Sequence, residues 1–229
     1  MELIGTEGRN EENIFVPRTL DMLKFAPEGY PFIIFFGIMT ALLAYATGPF
    51  LAVLSLLLTF FMLYFFRDPE RDIPEDQNVF VSPADGKVFL IRDVKEAEHI
   101  NEGMKEISIF MSPMDVHVNR APCDGIISKV KHNKGRFMAA YKEESSFANE
   151  NIEMVLKTPY GKILLRQVAG FVARRAVCRK KEGDRLLRGE RYGMIKFSSR
   201  LDIYLPQNVV LQVKIGDRVK AGETILARV

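Results

Sequence analysis

Three segments hold the residues whose types could do chemistry. Gly193-Met-Ile-Lys-Phe-Ser-Ser-Arg-Leu-Asp-Ile-Tyr-Leu-Pro206 alternates like a strand, yet Ser198-Ser199-Arg-Leu-Asp202 puts hydroxyls and opposite charges where a buried strand would carry aliphatics. Ser112-Pro-Met-Asp115-Val-His117-Val-Asn119-Arg120 sets Asp115 and His117 two apart on an extended segment, so both face one side while Val116 and Val118 face the other. Ser82-Pro-Ala-Asp85-Gly86-Lys is a turn by composition. A serine hydroxyl is a poor nucleophile unless a base lies within hydrogen-bond reach, and neutral imidazole suits that task near pH 7. Each segment also has a plainer meaning. A serine pair in a strand is usually structural, Asp-Gly is usually a turn, and a lone strand histidine more often belongs to a core.

The elements that must position these residues follow from how charge is distributed. Residues 31–66 contain no Asp, Glu, Lys or Arg. At about 1.5 Å per residue a single helix over them would reach ~54 Å, well beyond a ~30 Å hydrocarbon core. Thr47-Gly48-Pro49 breaks the run at its midpoint, which predicts two helices, about 32–46 and 50–66, forming a membrane hairpin. Arg18 and Lys24 precede the hairpin and Arg67 and Arg71 follow it, so both ends are expected on the cytoplasmic side. Tyr30, Tyr45 and Tyr64 fall near the helix ends, where amphipathic rings favour the interface. Arg67-Asp-Pro-Glu-Arg-Asp-Ile-Pro74 is a charged, proline-bearing exit. The organisation expected is therefore a juxtamembrane segment (1–30), a hairpin (31–66) and a catalytic domain (67–229).

Beyond Val79, short strands such as 87–91, 107–111, 126–131, 162–169 and 201–205 recur between Gly, Pro, Asn and Asp. That spacing predicts a mainly β domain, a sandwich or barrel-sandwich. Gly183-Asp-Arg-Leu-Leu-Arg-Gly-Glu190 is echoed by Gly216-Asp-Arg-Val-Lys-Ala-Gly-Glu223, each followed by an apolar strand, as a pseudo-symmetric sandwich would require. The formal charge of +3 is too mild to argue for nucleic acid. Cys123 and Cys178 lie outside any Cys-x-x-Cys spacing, and the three histidines lack metal-ligand spacing, so neither a disulfide scaffold nor a metal site is expected. Unpaired cysteines agree with a cytoplasmic catalytic part.

Five segments in order resemble the short, prokaryotic branch of the phosphatidylserine decarboxylases. They are the hairpin ending Phe-Phe-Arg-Asp-Pro-Glu-Arg, the Ser-Pro-Ala-Asp-Gly-Lys turn, the Ile-Phe-Met-Ser-Pro-Met-Asp-Val-His-Val-Asn-Arg segment, Gln-Val-Ala-Gly-Phe-Val-Ala-Arg-Arg, and Met-Ile-Lys-Phe-Ser-Ser-Arg-Leu-Asp. The resemblance implies a zymogen that cuts itself between Ser198 and Ser199 into chains 1–198 and 199–229, with Ser199 becoming a covalent pyruvoyl group. His117 and Asp85 would assist, the aspartate by orienting the imidazole as in other Ser-His-Asp arrangements. The pyruvoyl ketone would condense with the amine of phosphatidylserine and accept the electrons released as CO2 leaves, giving phosphatidylethanolamine. At least one of Arg174 and Arg175 is expected at the substrate phosphate, since arginine suits bidentate phosphate recognition; the plainer meaning is a solvated strand end. The implied partners are the lipid substrate, the bilayer, the chain's own small fragment and, in an oligomer, further copies of itself.

Two positions depart from the family. Arg120 stands where the longer branch has a second histidine, and Ser198 stands where the family has glycine. Glycine permits strained backbone and an open carbonyl, so slowed maturation is the expectation here. A different class of protein, a non-catalytic membrane-tethered barrel-sandwich adaptor, would explain the anchor and the Gly-Asp-Arg turns. It gives no reason for Ser199, His117 and Asp85.

Overall fold

A computed structural model describes residues 24–46, 49–96, 98–136, 138, 145–170, 175–197 and 199–229. Two helices come first, α1 (Tyr30–Ala46) and α2 (Pro49–Phe65). Proline at the first position of α2 fits a site whose N–H has no intrahelical partner. Ile34, Phe35, Leu42, Phe50 and Leu57 are all exposed on their surface. Between the helices, the Thr40 hydroxyl lies 2.9 Å from that of Ser55 and 3.2 Å from that of Thr59.

Fourteen strands follow: β1 (Val79–Val81), β2 (Gly86–Glu96), β3 (Glu102–Met111), β4 (Val118–Arg120), β5 (Gly125–Asn133), β6 (Asn151–Thr158) and β7 (Gly161–Ala169). Then come β8 (Ala176–Cys178), β9 (Arg185–Leu186), β10 (Arg191–Ile195), β11 (Ser199–Pro206), β12 (Val210–Leu211), β13 (Arg218–Val219) and β14 (Ile225–Arg228). An antiparallel eight-stranded sheet in the order β13-β2-β3-β11-β7-β6-β5-β9 curls into a half-barrel. Two three-stranded sheets, β1-β14-β12 and β4-β10-β8, accompany it. The mainly β architecture expected from the strand spacing is what the chain adopts.

The two ends of the large sheet are built alike, a two-residue turn strand on a long one (β13 on β2, β9 on β5), and the chain shows why. Ser82-Pro-Ala-Asp85-Gly86-Lys-Val88 has a counterpart in Ala121-Pro-Cys-Asp124-Gly125-Ile-Ile127. Gly86 pairs with Val219 of one Gly-Asp-Arg turn, and Gly125 pairs with Leu186 of the other. All four turn glycines lie in the left-handed region, at φ of 89°, 77°, 102° and 80° for Gly183, Gly189, Gly216 and Gly222. A Cβ at Gly189 or Gly222 would also fall 2.3 or 2.9 Å from the Cδ1 of Ile73, so the two turns close on one side chain from the hairpin exit.

Strand β11 is the spine of the site. Leu201, Ile203 and Leu205 enter the main core with Ile107, Ile109 and Leu165. The alternate residues face a buried ionic layer: Arg200 donates to Asp202, Glu106 and Ser108, while Arg166 donates to Glu153 and the Tyr204 hydroxyl. The period of two therefore splits the Ser-Arg-Leu-Asp motif, with its charges holding the sheet and its serine turned to the other face.

Candidate active site

Ser199 opens β11, pairing with Met111 on β3 and Ala169 on β7. The preceding link has to cross from the small β4-β10-β8 sheet to the half-barrel. Lys196 still donates its N–H to the Arg175 carbonyl at 3.1 Å, and Phe197 turns the corner at φ 55°. For a residue with a Cβ that conformation costs about 1–2 kcal/mol. It is held by rings, because Phe197 stacks on Phe65 with centroids 4.5 Å apart. Ser198, the residue expected on the other side of the cut, lies outside the described residues.

The Ser199 side chain is fully buried, and its hydroxyl reaches the Met111 sulfur at 3.5 Å. A thioether is a weak acceptor, so this contact does little to restrain the oxygen. His117 is also fully buried. Its Nδ1 lies 2.9 Å from the Asp115 carbonyl, which can only accept, so Nδ1 carries the proton. Nε2 is left as a lone pair with no partner among the described residues. Burial lowers the imidazole pKa from 6.5 to about 4, outweighing the Asp115 carbonyl bond and carboxylate, and Arg67 adds a smaller push the same way. At neutral pH the side chain is thus a neutral base with its basic nitrogen unsatisfied. It is not hydrogen-bonded to Ser199; the Phe65 ring stands against it, centroids 4.3 Å apart.

Asp85 is not hydrogen-bonded to His117. Both its oxygens accept from Arg71, at 3.0 and 2.8 Å, and one accepts the Ala221 N–H at 2.8 Å. Its counterpart Asp124 accepts the Arg188 N–H at 2.7 Å in the same way. The turn contact is therefore part of the duplicated architecture, and Arg71 is what distinguishes Asp85. Arg120, at the position of the longer branch's second histidine, is buried and donates to Asp68 and to the carbonyls of Gly189 and Pro69. Arg175 is exposed beside the link, and Arg174 lies outside the described residues.

Sequence reasoning passed over an amide pair. Gln167 donates to Asn119 Oδ1 at 2.8 Å, and Asn119 approaches the same Met111 sulfur as Ser199, at 4.0 Å. Gln167 Oε1 has no partner among the described residues. Gly193 admits this side chain, because a Cβ there would meet the Val177 carbonyl at 2.1 Å and Gln167 Nε2 at 3.0 Å. Both amides sat in quoted segments, but only their three-dimensional neighbours mark them. Elsewhere, Glu98, His99 and Glu153 bring potential ligand atoms within 4.8 Å of one another. Lys131 and Arg166 already balance the two carboxylates.

The buried Ser199, the neutral His117 and the left-handed Phe197 belong to segments that known proteins share. The family model for phosphatidylserine decarboxylase matches residues 58–227. The chain belongs to the phosphatidylserine decarboxylase family. The phosphatidylserine decarboxylase proenzyme of Geotalea uraniireducens (strain Rf4) is 48% identical over 202 residues, covering 88% of this chain and 94% of that protein. The proenzyme of Citrifermentans bemidjiense is 48% identical over 209 residues, with 88% and 94% covered. That of Syntrophus aciditrophicus (strain SB) is 43% identical over 203 residues, with 88% and 95% covered. Family membership makes this chain a decarboxylase, a carboxy-lyase of phospholipid biosynthesis, and displaces the adaptor alternative.

Proposed function

We propose that the chain is a self-processing zymogen. It cuts itself between Ser198 and Ser199, converts Ser199 to a pyruvoyl group, and decarboxylates phosphatidylserine to phosphatidylethanolamine at a bilayer. The observation that carries this reading is the buried Ser199 at the head of β11, with the unsatisfied Nε2 of His117 on the neighbouring segment. The Ser199 hydroxyl would attack the carbonyl carbon of residue 198 as its proton passes to a base. The C–N bond breaks, leaving residue 198 as an ester on Oγ and residue 199 with a free amine. Removal of the Ser199 α-proton then expels the residue 198 carboxylate, and water displaces ammonia to leave the ketone.

The surroundings suit that product. Loss of Oγ turns the side chain into a methyl group against the Met111 sulfur, an apolar contact in place of a weak hydrogen bond. When present, the pyruvoyl ketone supplies an electron sink for the carbon left by CO2. His117 Nε2 is available to take and return a proton, Gln167 Oε1 to accept a hydrogen bond, and β3 and β7 fix the position of residue 199.

Substrate delivery is proposed to use the hairpin. Residues 27–46 are long and apolar enough to cross a membrane, and Pro49–Phe65 is apolar but shorter. A cavity of about 490 Å³ lined by Pro31, Phe32, Phe35, Phe36, Met62 and Phe197 runs from the helices to the link, which suits acyl chains. Arg175 and Lys196 flank the same end and suit the phosphate. With both hairpin ends cytoplasmic, single cysteines near residues 20 and 72 should be labelled from one face; labelling from opposite faces would overturn the topology.

The activity is tested on the purified chain and on Ser198→Gly, by intact mass and by CO2 release from phosphatidylserine vesicles. Two fragments, the smaller of 31 residues, and CO2 release are expected, with faster processing in the glycine variant. In that assay Arg175→Ala should raise KM for the lipid. An uncut glycine variant would overturn the reading.

A further inference from the structure

We infer that Phe65, at the end of α2, is a positioning residue for self-cleavage, so that the apolar hairpin controls maturation as well as anchoring the chain. This rests on the reading that Ser199 is processed, and goes beyond it by assigning a second role to the anchor.

Phe65 is fully buried between the two halves of the chemistry. Its ring centroid lies 4.3 Å from that of His117, and it stacks on Phe197 at 4.5 Å with the planes 23° apart. Phe66 stands edge-on to Phe65 at 5.0 Å and stacks on Phe32 of α1 at 5.4 Å. The ring column therefore runs from both hairpin helices to the base and to Phe197, the second residue before the expected cut.

Backbone and charge fix the column. Ala26 donates to the Phe66 carbonyl at 2.8 Å across the foot of the hairpin. The Tyr64 hydroxyl and Arg67 both donate to the Met114 carbonyl, at 3.1 and 2.7 Å, on the segment that carries His117. Three residues on, Asp68 pairs with Arg120 and Arg191, and Arg71 pairs with Asp85. Residues 64–71 thus touch the Asp85 turn, the segment from Met114 to Arg120, and the stretch from Arg191 to Phe197 that leads to Ser199.

Two consequences make Phe65 more than filler. Phe197 sits in the left-handed region, and such a conformation persists only where its surroundings enforce it. The stacked ring is that enforcement, and without it Phe197 can leave the left-handed region, so the link into Ser199 loses its set geometry. The same ring also covers His117. The charged groups that face the imidazole are Asp115 on its own segment and Arg67 from the hairpin exit, and burial dominates both in keeping it neutral.

The test uses the full chain with Ser198→Gly, reconstituted in lipid vesicles, and follows release of the small chain by intact mass between pH 4.5 and 8. Phe65→Leu keeps an apolar side chain of similar reach and removes the stacked ring. It should cleave at least tenfold more slowly at pH 7.5 while melting cooperatively. Phe60→Leu, on the exposed side of the same helix, should cleave at the parent rate. Phe65→Ala lets water reach His117, so its rate should fall below about pH 6.5, the ordinary imidazole value, while the parent stays level to pH 5. Parent-like rates and an unshifted acid limb in both Phe65 variants would overturn the proposal. A parent that never cleaves would instead overturn the reading of Ser199 on which it stands.

Discussion

Ser199→Ala should leave a single 229-residue polypeptide with no pyruvoyl group, even with glycine at position 198. The substitution removes one oxygen whose hydrogen-bond partner is a thioether at 3.5 Å, so little stability goes with it. The backbone pairing of residue 199 to Met111 and Ala169 does not depend on the side chain. Folding and chemistry are therefore separable at this position, and the variant should melt close to the parent. Ser198 offers a competing hydroxyl one residue earlier. Its attack would cut after Phe197 and start the small chain at 198. Mass spectrometry of the small chain distinguishes the two, and a mature chain beginning at 198 would overturn the assignment of Ser199.

The hairpin and most long strands were legible in the sequence because their signals are local. A charge-free run needs no partner to be recognised, and the alternation of 201–205 and 162–169 falls within β11 and β7. The two-residue strands β9 and β13 were not legible as strands, since each is defined by what it pairs with across the chain. The duplication was legible in its Gly-Asp-Arg turns but not in its other half: Ser-Pro-Ala-Asp-Gly and Ala-Pro-Cys-Asp-Gly share too few residues to stand out before their turns are seen to coincide.

At the candidate site, Ser199 and His117 were singled out by residue type and by the family resemblance, whereas the groups that surround them were not. Asp85 was expected to orient the imidazole by analogy with Ser-His-Asp arrangements. The chain instead gives that task to the Asp115 carbonyl two residues away, and gives Asp85 to Arg71. A backbone acceptor leaves no mark in a motif. Phe65 was equally hidden, because inside an apolar run one phenylalanine looks like its neighbours until the ring it touches is known.

His117→Ala, with glycine at 198, should give a folded proenzyme that cleaves ~10²–10⁴-fold more slowly, the usual contribution of a general base. Nδ1 is committed to the Asp115 carbonyl, so Nε2 is the atom that can take the Ser199 proton, and alanine supplies nothing in its place. Asp85→Asn should slow cleavage less, since it reaches the site through Arg71 and the Ala221 turn rather than through the hydroxyl. The histidine also leaves a mark on stability that separates its presence from any structural side effect. Its pKa is lowered by burial from 6.5 to about 4 in the folded chain. As pH falls through that window the unfolded chain binds a proton that the folded chain refuses, so stability present above 6.5 is lost toward pH 4. Between pH 7 and pH 5 the loss is about 2 kcal/mol. Melting in detergent at the two pH values should show this contribution in Ser199→Ala, which keeps the imidazole and stays intact. The double variant Ser199→Ala, His117→Ala should lose that share of the slope. Equal slopes in the two proteins would mean that the imidazole is hydrated and charged at pH 5, and normal cleavage in His117→Ala would assign the base to another group.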